Sequence, residues 1–121
     1  MILVDTSIWV DHLRRADARL ADALQAQRVI VLPLITGELA CGFLRNRGEI
    51  LSLLQRMPQA PEASHSEALA FLEGNGLAGV GMGIVDVHLL ASAALGGDIR
   101  LWTKDRRLRL AAQGLNLAYS P

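Results

Sequence analysis

Short apolar runs recur along this chain, and longer segments of helical period separate them. Ile2–Val4, Val29–Leu32, Ile99–Trp102 and Leu115–Ala118 read as strands, with a weaker one at Gln59–Ala63. Runs this short and this apolar belong inside a sheet rather than on a surface. Between them lie segments with helical spacing of apolar residues: 8–14, 18–27, 35–45, 49–57, 66–73, 85–95 and 105–112. Strands alternating with helices in this way predict a parallel sheet in a three-layer α/β/α fold. At 121 residues the chain is long enough to bury a core as one domain, and it has no repeat, low-complexity block or linker.

Open parallel sheets gather ligands at the carboxyl ends of their strands. Acidic residues cluster there in sequence. Asp5 ends the first strand, Asp105 follows the Ile99–Trp102 strand by three residues, Glu38 lies early in the helix after the second strand, and Asp86 opens the helix after Gly79-Val80-Gly81-Met82-Gly83. Each acid alone has a simple structural role open to it. Asp5 and Asp105 suit helix caps, and Glu38 and Asp86 suit a helix dipole. Helix phase favours more than that. Asp86 shares a face with Leu89, Leu90 and Ala93, and Glu38 with Ile35, Cys41 and Gly42, so both acids are expected to point inward. An unpaired inward carboxylate is costly, and four near one sheet edge repel one another unless a cation binds. Carboxylates without His or Cys select a hard ion, Mg²⁺ or Mn²⁺. Such an ion activates water and steadies a phosphoryl transition state. Ser7 and Thr103, each two residues from an acid, are expected to support the site through their hydroxyls or to cap the following helix.

Composition excludes several other classes. Formal net charge is zero, so bulk charge gives no sign of nucleic-acid binding. Lys104 is the only lysine, and the remaining basic residues are arginines. Arginine suits bidentate phosphate contact, and equally follows from GC-rich coding. The single cysteine, Cys41, rules out a disulfide framework and a cysteine-rich zinc site, and its apolar neighbours predict a buried, inert thiol. The start MILVDT has no basic region or cleavage motif, and no apolar run is long enough to span a bilayer, so a cytoplasmic protein is expected.

Four stretches together resemble the PIN-domain family, and more narrowly the VapC-type toxins of bacterial toxin–antitoxin pairs. They are VDTSIW with Asp5, ITGELACGF with Glu38, GMGIVDVHLLASAAL with Asp86 and LWTKDRRLRLAA with Asp105, and they span nearly the whole chain. The resemblance implies a single PIN-like nuclease domain over residues 1–121 with a five-stranded parallel sheet. It implies a Mg²⁺- or Mn²⁺-dependent endoribonuclease whose acidic site is Asp5, Glu38, Asp86 and Asp105. It also implies a homodimer and a cognate antitoxin that covers the site. Asp5 and Asp86 are expected to bind the ion directly, with Glu38 and Asp105 completing the set. Arg106, Arg107 and Arg109, beside Asp105, are expected to hold the RNA backbone.

Other patterns are weaker. The glycine loop has the wrong spacing for a dinucleotide fingerprint and follows a helix. His12, His65 and His88 lack metal spacing, Ser64-His65-Ser66 suits a helix cap, and Trp9 and Trp102 suit the core. An aspartate-dependent phosphatase also begins with a strand ending in Asp, but needs a second acid where Ser7 stands. A receiver-like signalling or partner-binding module needs acids where Thr6 and Pro33 stand.

Overall fold

A computed structural model describes all residues from Met1 to Pro121. Three strands, β1 (Ile2–Val4), β2 (Val29–Ile30) and β3 (Arg100–Trp102), form a parallel sheet in the order β2-β1-β3. Leu3 pairs with Ile30 on one side and with Leu101 on the other. Ile2, Leu3 and Val4 are all buried, although successive side chains of a strand point to opposite faces. Both faces of the sheet are therefore covered, as the short apolar runs require.

Seven helices provide that cover: α1 (Thr6–Arg14), α2 (Ala18–Gln25), α3 (Pro33–Cys41), α4 (Arg47–Arg56), α5 (His65–Gly74), α6 (Ile84–Gly96) and α7 (Arg106–Gly114). Their starts follow local chemistry. Asp5, Asp17, Ser64 and Asp105 each accept a bond from a free amide at a helix start. Ser64 and Glu67 form a reciprocal capping box. Pro33 occupies the first helical position of α3, where its missing N–H costs nothing. The strand expected over 29–32 pairs with β1 only at Val29 and Ile30, because the N–H and carbonyl of Val31 turn to the segment around Gln59. Trp9 and Trp102 lie in the core, which also holds Leu20, Ile35, Leu89, Leu90 and Leu108.

Two sequence expectations need correction. The sheet has three strands, not five. The outer segments each touch it at a single bridge, Val31 with Gln59 and Leu101 with Ala118. On one side Val31 donates to the Pro58 carbonyl and Ala60 donates to Val31. On the other Leu101 donates to Leu117 and Tyr119 donates to Leu101. Pro58 and Pro61 bracket the first segment and lack N–H groups. Asn116 before the second is left-handed, with φ 58°. Neither segment can extend into a ladder. Cys41, expected to be buried, is exposed at the end of α3. Ile35 and Leu39, four residues apart, form the buried stripe of that helix, and Cys41 lies off it.

Candidate active site

Asp5 is held where β1 runs into α1. Its backbone N–H donates to the Trp102 carbonyl at 2.9 Å, continuing the β1–β3 ladder by one step. That step places Asp5 beside Thr103. The Asp5 side chain is 9% exposed and surrounded by donors. Oδ1 accepts from the Thr6 N–H at 2.7 Å, and Oδ2 accepts from Thr103 Oγ1 at 2.7 Å and Ser7 Oγ at 3.2 Å. Three donors allow a carboxylate to sit this deep without an ion-pair partner.

Thr103 serves two acids. Its Oγ1 donates to Asp5 and accepts from the Asp105 N–H at 3.1 Å. The carboxylate of Asp105 meanwhile accepts from the Leu108 N–H at 2.9 Å and caps α7. Ser7, by contrast, bonds the acid that its sequence position suggests. Thr6, which did not stand out in the sequence, donates from Oγ1 to Glu38 Oε1 at 2.7 Å and links α1 to α3. Its place directly after Asp5 was the only available signal.

Asp86 stands in the first turn of α6 and is half-buried. Burial raises its pKa from the ordinary aspartate value. The negative charges of Asp5, Asp105 and Glu38 raise it further, and a hydrogen bond with the Gly83 backbone opposes them. The four acids, from four separate elements, are thus close enough for Asp86 to feel the other three. Glu38 and Asp105 are exposed, so the expected inward aim of Glu38 is not observed. Glu38 lies at the border of the Ile35–Leu39 stripe and reaches sideways to Thr6.

No cationic side chain neutralises this group. The ion pairs of the molecule are Arg19–Asp17 and Lys104–Asp11, both elsewhere. As they stand, no three carboxylate, imidazole or thiol groups form a ready coordination cluster. Mutual repulsion between unneutralised carboxylates opposes such convergence, and a divalent cation would cancel it. The donor chemistry is all oxygen and anionic, which fits Mg²⁺ or Mn²⁺. The histidines stand apart from it. His65 and His88 stack on each other at 6.2 Å, and His12 accepts from the Asp17 N–H.

Of the three arginines after Asp105, Arg107 is engaged. Its Nη1 donates to the Gly81 carbonyl at 3.3 Å. Gly81 has φ +88°, and a Cβ there would lie 2.8 Å from that same nitrogen. Only glycine allows the loop ahead of Asp86 to sit under the guanidinium. Arg106 and Arg109 are exposed and make no ion pair or side-chain hydrogen bond.

A family model described as PIN domain matches residues 2–114. Ribonuclease VapC32 of Mycobacterium tuberculosis is 47% identical over 111 residues in each of two strains, CDC 1551 / Oshkosh and ATCC 25618 / H37Rv. The match covers 92% of this chain and 90% of those relatives.

Proposed function

This chain belongs to the PIN domain family, and from that premise we propose that it is a divalent-metal-dependent endoribonuclease, the toxin of a toxin–antitoxin pair. The observation that carries this is the placing of Asp86, half-buried and set against Asp5, Glu38 and Asp105 with no cationic side chain paired to them. Asp5 and Asp86 would hold the ion directly, and Glu38 and Asp105 would complete its surroundings. When bound, Mg²⁺ or Mn²⁺ supplies Lewis-acid polarisation of the scissile phosphate and activates water for its hydrolysis.

The protein's own part is orientation. Thr103 and Ser7 fix the Asp5 carboxylate, and Thr6 fixes Glu38. Asp105 is held by its cap on α7, and Asp86 by its position at the start of α6. Carboxylates fixed in this way lose little freedom on binding an ion. Arg106 and Arg109, both exposed, would meet the RNA backbone next to Asp105, while Arg107 holds the glycine loop. Thr6 and Ser7 occupy the positions where a receiver module or a phosphatase would need acids. Here they act as donors to Glu38 and Asp5, which favours the nuclease.

The partners that accompany this function are an RNA substrate, a second copy of the chain, and an antitoxin that covers the acids. Relatives named as ribonucleases support the first. No helix is long and apolar enough to cross a membrane, and the proposed place of action is the cytoplasm.

The test uses purified protein and single-stranded RNA. Cleavage should stop with EDTA, return with Mn²⁺, and fall by about 100-fold or more in Asp86→Asn. That variant removes a half-buried, repelled charge, so its thermal melt should show it folded. Cleavage that survives both EDTA and Asp86→Asn rules the proposal out.

A further inference from the structure

The most exposed large apolar side chain in the molecule is Phe43, whose ring is fully open to solvent. It lies in the connection between α3 and α4. That connection is tied down: Arg47 donates to the carbonyls of Ala40 and Gly42, closing the end of α3. Phe43 is therefore presented on a held segment rather than on a free tail. A ring held open to solvent in this way offers a flat face on which a nucleobase can stack.

Phe43 lines a cleft of about 590 Å³. Val10 and Leu13 of α1 contribute an apolar wall. Glu38, one of the four acids, lines the same cleft, so it runs into the candidate active site. Arg14 and Arg45 line it too, and neither makes an ion pair or a side-chain hydrogen bond. An exposed aromatic face, an apolar wall, two unpaired guanidiniums and continuity with a phosphodiester-cleaving site suit a splayed-out nucleotide. The two uncompensated cations favour a phosphate-bearing occupant over a purely apolar protein segment.

We infer that this cleft is a nucleotide subsite of the nuclease. One unstacked base of the RNA lies on Phe43, and Arg14 and Arg45 hold its flanking phosphates as the strand passes Glu38 towards the other acids. This rests on the nuclease function proposed above, and it extends that function by assigning where unpaired RNA is gripped. A duplex cannot offer a free base face, so the subsite selects single-stranded RNA.

The experiment measures binding apart from cleavage. Asp86→Asn protein is titrated with a fluorescein-labelled single-stranded RNA oligonucleotide in Mg²⁺, with the same sequence as a duplex for comparison. Adding Phe43→Ala should weaken single-strand binding by about tenfold or more, while Phe43→Trp preserves it. The Arg14→Ala, Arg45→Ala pair should lower the slope of log affinity against log salt by about 1.4. Thermal melts check that each variant is folded. Unchanged affinity in folded Phe43→Ala, or an unchanged salt slope in the arginine pair, overturns the assignment and leaves the cleft to a protein partner. Equal weakening of duplex binding also overturns it. If the wild type failed to cleave RNA yet Phe43→Ala weakened binding, the nuclease proposal would fall and the subsite would stand.

Discussion

Thr103 shows how much one hydroxyl can hold. It is buried, donates to the buried Asp5 carboxylate and accepts from the Asp105 amide. Thr103→Val keeps the shape but leaves a charged acceptor and an amide short of a partner. Urea denaturation should show a loss of about 2 kcal/mol, and cleavage should fall roughly 10- to 100-fold through the loosened Asp5. Asp86 acts in the opposite direction. Burial and three like charges raise its pKa, so the folded state holds its proton more tightly than the unfolded chain does. For a group raised in this way, the favourable contribution is complete at pH below the unfolded value and is lost as pH rises through the folded one. In its ionised form Asp86 therefore destabilises the metal-free protein. Asp86→Asn should melt a few degrees higher than wild type in EDTA at about pH 7, and this gap should close at about pH 3, where both carry a neutral side chain. A gap that stayed constant across that range would contradict the assigned cause.

At the scale of elements, the link between α7 and the loop ahead of α6 is the most exposed to a single change. Arg107 reaches from α7 to the Gly81 carbonyl, and the left-handed Gly81 leaves room for it. Gly81→Ala would strain φ and push a methyl group into the guanidinium. Arg107→Ala would remove the tie from the other side. Each should speed amide exchange in residues 79–83 and lower kcat through a less firmly placed Asp86. The double variant should be little worse than either alone, because both break one contact. Additive losses would show that the two residues act separately. Elements also limit what could be foreseen. The helices were legible because their apolar period and caps are local, and the starts at Asp5, Ser64 and Asp105 followed from residue type. Strand length was not. Whether residues 59 and 118 extend a ladder depends on neighbours far away in sequence, and prolines and a left-handed asparagine reduce each to one bridge.

For the molecule as a whole, fold stability and metal binding are linked. Any ion that binds only the folded state stabilises it by mass action, by about 2.7 kcal/mol at a hundred times its dissociation constant. Mn²⁺ should therefore raise the melting temperature of wild type in a saturable manner and leave that of Asp86→Asn nearly unchanged. The rise should shrink on acidification, because protons compete for the same carboxylates. An equal rise in both proteins would place the ion elsewhere. The sequence by itself determined the parallel α/β class and the succession of seven helices, since these depend on periodicity and capping along the chain. Only the tertiary structure decided that Thr103 turns to Asp5, that Thr6 turns to Glu38, that Arg107 holds Gly81, and that Phe43 and Cys41 face solvent. Those outcomes depend on which strands and helices lie side by side. That is set by the burial of the whole core, and no local run of residues encodes it.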